Sequence, residues 1–277
     1  MKKRSALSSV YLFIVFLVMY APIIVLIFFS FNAGSSTSNF TGFSLRWYEL
    51  LFHDKYTMNA LKNTLVLATF SALIATVIGT AAAVGISHMK KWMQNAVNLV
   101  TNVPMMNPDI VTGVSMLLLF VCAGRLVGKT SVLGFWTLLI AHITFNIPYV
   151  ILSVQPVLNK TDVHLSEAAR DLGCTPSKAF FKVVLPSISS GIITGFVMAF
   201  TLSIDDFVIS VFTSGSGFTT LPIHIYNMTK KPVQPSINAL ATILFVTVFL
   251  LLVLINVREA RAEKRENQRN NRQRAYK

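Results

Sequence analysis

Acidic residues are scarce in this sequence. Eleven Asp and Glu stand against 24 Lys and Arg in 277 residues, and charge of both signs amounts to only 13 %. A soluble globular domain carries about 25 % charged residues, so this chain lacks the surface that such a domain presents to water. Cysteine is nearly absent as well. Cys122 and Cys174 form no CxxC or His/Cys cluster of the kind that holds zinc, and the topology below sets them toward opposite faces, where they do not pair. No GxxxxGK[ST] phosphate loop occurs, so nucleotide hydrolysis belongs to another chain. Nor does any nucleophile-base pair or metal-ligand set mark an enzyme.

What the chain has instead is apolar length. Hydrophobic residues make up 53 % and the mean hydropathy is +0.62, with long runs that contain no Lys or Arg. Those runs make the bilayer the relevant solvent. They predict an all-α integral membrane protein with six spans at about 10–31, 63–87, 96–122, 134–158, 188–212 and 238–257. Residues 1–9 and the basic tail 258–277 flank this 10–257 membrane domain, and 159–187 is its one long polar loop. The first run follows Lys2, Lys3 and Arg4 and resembles the start of a signal peptide. It is too long for a signal-peptide core, so it reads as an uncleaved first helix.

Orientation follows from the bases. With both termini inside, the inner segments hold seventeen Lys and Arg and the outer ones seven. That bias places residues 159–187 in the cytoplasm. The net charge of +13 does not indicate nucleic acid, because the bases cap span ends or lie in the tail. The tail suits anionic lipid.

Span two is rich in Ala, Gly and Thr, which predicts a helix buried among others. Span three is interrupted by Pro104 and Pro108, and span four contains His142, whose plainest use is a bond to a neighbouring helix. Asp109, Asp205 and Asp206 are the acids within the predicted spans, and no Lys or Arg lies in any span to pair with them. A charge at a helix centre costs about 2.5 to 3.5 kcal/mol. Their partners are therefore hydroxyls such as Ser203, another subunit, or a cationic substrate. Asp205 and Asp206 point about 100° apart on a helix, so one of them can face a pathway while the other faces a neighbour. Between spans one and two, Trp47 and Tyr48 sit on a short interfacial helix and serve either as an aromatic belt or as a substrate contact.

The polar loop has the most specific pattern. Leu165, Ala168, Ala169 and Leu172 recur at helical spacing, which predicts a short helix from about Thr161, capped by Thr161 or Asp162 and ended by Gly173. Thr175 and Pro176 then open a second helix. Glu167, Ala168 and Ala169, followed by Gly173 and by Val183, Val184, Leu185 and Pro186, resemble the EAA loop of bacterial ABC importer permeases, with Val183 where the family has Ile. The stretches Met106 to Val111, Phe135 and Trp136, Ala141 to Phe145, Thr201 to Asp206 and Asn238 to Leu244 are similar to the second permease subunit of polyamine importers.

The resemblance implies a type I ABC importer permease (MetI-like) fold and ATP-driven import of spermidine or putrescine. It also implies a related permease as heterodimer partner, two ATP-binding subunits that bind ATP and Mg, and an extracytoplasmic polyamine-binding protein. The chain itself then holds no cofactor, and its localisation is the bacterial cell membrane. Glu167, Ala168, Ala169 and Gly173 are the implied coupling residues; Asp109, Asp205, Asp206, Ser203 and Trp47 are candidate pathway residues. The same machine with another cargo, such as ferric iron, thiamine or an opine-like cation, is the alternative.

Overall fold

The computed structural model describes residues 6–34, 39–128, 132–162, 164–230, 235–250, 253 and 257. Among them every regular element is helical, apart from one isolated antiparallel bridge between Asn32 and Phe43. The first half of the chain holds α1 (Ala6–Ser30), α2 (Arg46–His53), α3 (Lys55–Ser87), α4 (Lys91–Met106) and α5 (Asp109–Leu126). The second half holds α6 (Phe135–Lys160), α7 (Leu165–Asp171), α8 (Pro176–Ala179), a π-helical turn Phe180–Val184, α9 (Leu185–Ser187), α10 (Ser189–Asp205), α11 (Val208–Thr213) and α12 (Leu221–Thr229). An apolar helix α13 spans Pro235–Leu250.

Four helices are long and apolar enough to cross a membrane: Val10–Ser30 within α1, α3, α5 and α6. Pro176–Ser187 and Ser189–Asp205 meet at 68° and give a fifth if taken together. The expected sixth span begins in α13, and most of its remainder lies outside the described residues, as does the tail.

Two compact units result, one from residues up to Asn59 with those from Ile225, the other from Ala60–His224. In the first, Asn32 ties the turn after α1. Its Oδ1 accepts from Thr41 N at 2.8 Å, its Nδ2 donates to Asn39 O at 2.8 Å, and its backbone carbonyl accepts from Trp47 Nε1 at 2.8 Å. Asp54 ends α2 and caps α3, accepting from the backbone N–H of Tyr56 and Thr57. That cap is why α3 begins eight residues before the predicted span: Lys55–Lys62 is polar enough to lie outside the hydrocarbon, yet still helical.

In the second unit α3, α6 and α10 build the core, with Ala72, Ala75, Ala83, Val150, Val154 and Ala199 at its centre. The small residues of α3 are buried as predicted and admit α6 closely; a Cβ on Gly79 would stand 2.7 Å from Val150. α10 approaches α6 in the same way, since a Cβ on Gly191 would meet Ser153 O at 2.9 Å.

Span three differs from its expectation. It is two helices, α4 and α5, separated at Asn107 and Pro108. The residue before a proline is driven to extended backbone, and Asn107 has ψ 141°. Pro104 stays inside α4 without ending it. Span five is likewise interrupted: α10 stops at Asp205, Asp206 is extended at ψ 120°, and α11 starts at Val208.

Candidate functional site

The breaks change the setting of all three acids. Asp109 is the first residue of α5 and is exposed. The positive end of a helix favours a carboxylate there, so the cost of a charge at a helix centre does not apply. Asp109 also lies within electrostatic reach of Tyr149 on α6, whose ring packs on Phe145 with centroids 5.3 Å apart. Asp205 closes α10 and is exposed. Neither Asp109 nor Asp205 enters a salt bridge among the described residues.

Asp206 is used within the chain. Its Oδ1 accepts from Ile209 N at 3.3 Å, and its Oδ2 accepts from Ser210 N at 2.8 Å and from Ser210 Oγ at 2.9 Å. These bonds satisfy the free N–H groups that any helix leaves in its first turn, here those of α11. His142 Nε2, on a side chain 1 % exposed, stands 3.4 Å from the same Oδ2. The two adjacent aspartates therefore do different things.

Ser203, expected as a partner for the acids, bonds elsewhere. Its Oγ accepts from Asn146 Nδ2 at 2.7 Å and lies 2.9 Å from Ser71 Oγ, so it ties α10 to α6 and α3. The hydroxyl that does meet an acid is Ser210. Trp47 belongs to the first compact unit, where its indole N–H is spent on Asn32. Tyr48 is engaged there too, 2.6 Å from Ser30 Oγ. Sequence reasoning missed Asn146, Ser210 and Ser71. The available signal was the four-residue spacing of His142 and Asn146, which puts both on one face of α6.

The polar loop forms the expected pair of short helices, with one correction. Thr161 ends α6 instead of starting α7, which begins at Leu165 after His164. α7 ends in a Schellman arrangement: Gly173 N donates to Arg170 O at 2.9 Å and Cys174 N to Ala169 O at 3.1 Å. This requires φ +85° at Gly173, a value that glycine adopts without penalty. The Thr175 hydroxyl then accepts from Lys178 N at 3.4 Å, with Pro176 in the first helical position, as predicted.

Of the apolar stripe on α7, only Ala169 is buried, against the neighbouring short helices. Ala168 is exposed and Leu172 is 88 % exposed, as is Phe181 at 64 % in the π-helical turn. Glu167 is exposed beside His164, with His164 Nδ1 and Glu167 Oε2 2.9 Å apart. The loop thus presents a small folded knob with bare apolar side chains and one acid.

Comparison with known proteins places this geometry in context. A family model described as "Binding-protein-dependent transport system inner membrane component" matches residues 75–261. The chain is 38 % identical over 262 residues to the putrescine transport system permease protein PotI of Escherichia coli (strain K12), covering 94 % of this chain and 93 % of that one. It is 40 % identical over 235 residues to the spermidine/putrescine transport system permease protein PotC of the same strain, covering 85 % and 87 %. Among solved structures, a bacterial alginate ABC transporter in complex with alginate pentasaccharide-bound periplasmic protein aligns with a TM-score of 0.69 at 16 % identity, over 92 % of this chain and 93 % of that chain. At that identity the likeness is one of fold.

Proposed function

Because the chain belongs to the family of binding-protein-dependent transport system inner membrane components, we propose that it is a permease subunit of an ATP-driven importer of polyamines, with spermidine and putrescine as cargo. It is a multi-pass membrane protein with the all-helical fold of ABC importer permeases. The observation that carries the cargo reading is the identity of 38 % and 40 % to permeases named for putrescine and for spermidine/putrescine transport, sustained over most of the chain.

The acids support the same reading. Asp109 and Asp205 are exposed carboxylates without a basic partner among the described residues, and Asp109 has an aromatic neighbourhood in Tyr149 and Phe145. Such groups suit a flexible polycation, whose ammonium ends pair with carboxylates while its methylenes lie on rings. An anionic cargo would need basic or helix-N-terminal donors at those places instead. A second, related permease completes the pathway, and an extracytoplasmic binding protein delivers the cargo.

The knob around α7 is the coupling element in this reading. Leu172, Phe181 and the Glu167 face dock on an ATP-binding subunit, which supplies ATP and Mg. Closure of two such subunits moves α7, and the bent link through Ile188 passes that movement into α10 and the break at Asp206. The pathway opens outward to receive cargo and resets inward after hydrolysis. Both termini lie in the cytoplasm in this arrangement, and the basic tail touches anionic lipid.

The test is uptake of labelled spermidine and putrescine by cells lacking this chain and complemented with wild type or with Asp109→Asn or Asp205→Asn at equal membrane abundance. Restoration by wild type and loss in the variants is expected. No polyamine uptake with wild type would overturn the cargo.

A further inference from the structure

The groups around Asp206 use their hydrogens in a fixed order. The Ser210 hydroxyl has one hydrogen and gives it to Asp206 Oδ2, so toward His142 Nε2, 3.2 Å away, it can only accept. His142 therefore carries a hydrogen on Nε2. One turn further along α6, Asn146 Nδ2 donates to Ser203 Oγ at 2.7 Å. Ser71 gives its own hydrogen to the Ala68 carbonyl at 3.2 Å, so the Ser203 hydroxyl is the donor across the 2.9 Å contact with Ser71.

Two directed chains thus start from α6, and each leaves one atom over. His142 Nδ1 and Asn146 Oδ1 are buried and have no hydrogen-bond partner, on residues 1 % and 0 % exposed. With Nε2 protonated, the neutral imidazole offers Nδ1 as an acceptor, and an amide oxygen is always one. Two acceptors cannot satisfy each other. The nearby hydroxyls of Ser71, Ser203 and Ser210 have already spent their hydrogens. Buried acceptors left bare are costly and rare, and a small polar site between them is what an internal water fills.

We infer that one water molecule is bound between His142 and Asn146, donating one hydrogen to Nδ1 and the other to Oδ1. It joins the two chains into one network across α3, α6, α10 and α11 around the break after Asp205. The network fixes His142 as the neutral Nε2–H tautomer and ties the break to α6 as one unit. None of this depends on which cargo the chain carries.

The test is solid-state NMR of the full chain in lipid bilayers with the subunits that co-purify with it. Ala141 and His142 form the only Ala-His pair in the sequence, so labelling alanine carbonyls with ¹³C and histidine with ¹⁵N picks out His142 without a variant. The expected spectrum shows Nε2 protonated, Nδ1 as a hydrogen-bonded acceptor, and polarisation passing from water to Nδ1. In Asn146→Leu that transfer is lost while the tautomer is kept. A bare acceptor shift at Nδ1 with no transfer from water would overturn the site. So would a proton on both ring nitrogens, because a charged His142 could donate to Asn146 directly and needs no water.

Discussion

His142 Nε2 and Asp206 Oδ2 lie 3.4 Å apart, and that contact separates the roles of two neighbouring aspartates. Asp206 is committed to His142 and to the first turn of α11, whereas Asp205 is exposed one residue earlier. Asp206→Ala removes a cap, worth about 0.5 to 2 kcal/mol, and leaves the N–H groups of Ile209 and Ser210 unpaired. A lower thermal midpoint of the solubilised complex and lower membrane abundance are expected for Asp206→Ala. Asp205→Asn should keep both. The opposite ordering would show that Asp206 is not the structural member of the pair.

The packing of α10 on α6 gives a second prediction. A Cβ on Gly191 would stand 2.9 Å from Ser153 O and 3.1 Å from Val154 Cα. Backbone atoms cannot swing aside, so Gly191→Ala must push the helices apart, at about 1 to 3 kcal/mol. Gly85, on α3, has nothing within 4 Å of its would-be Cβ, and alanine there removes a helix-interior glycine worth about 1 kcal/mol. Thermal denaturation should show a lower midpoint for Gly191→Ala and an equal or higher one for Gly85→Ala.

These contrasts show what the sequence could and could not reveal. Gly173, Thr175 and Pro176 were legible because helix ends follow local rules of backbone angle and capping. Asn107 and Pro108 announced a break, but Pro104 did not make one, since a proline four residues earlier still fits the end of a helix. Thr161 and Asp162 looked like caps for α7, yet α6 ran on to Lys160 and took Thr161 as its end. The start of α3 was hidden because hydropathy reports the membrane and not the helix. The links from Asn146 to Ser203 and from His142 to Asp206 span 57 and 64 residues of sequence. Spacing puts His142 and Asn146 on one face of α6, but only the packing of α6, α10 and α11 says what that face meets.

Gly173 makes a third prediction, on coupling. Its φ of +85° costs any other residue strain, and nothing within 4 Å would obstruct a Cβ. The penalty is therefore conformational, about 1 to 2 kcal/mol for an ordinary L-residue, and should follow backbone preference instead of size. Gly173→Asn is expected to keep more uptake per ATP hydrolysed than Gly173→Ala or Gly173→Val, with the spans still inserted. Equal coupling in all three would mean that the turn after α7 does not transmit movement.

The same loop carries a pH-sensitive contact. His164 Nδ1 stands 2.9 Å from Glu167 Oε2, and its backbone N–H donates to Asp162 Oδ1 at 3.0 Å. The hydrogen bond to Glu167, then the charges of Glu167 and Asp162, hold the His164 pKa above its ordinary 6.5. A pKa raised by folding adds stability that is complete below pH 6.5 and is lost as pH rises through the folded value. Both side chains are exposed, so salt screens the pair and its contribution to stability is small. Titration of His164 by NMR should give a midpoint above 6.5 in wild type. Glu167→Gln and about 1 M salt should each lower it toward 6.5. A wild-type midpoint at or below 6.5 would mean that the contact does not persist in solution, and α7 would then respond to pH only through the partner on which it docks.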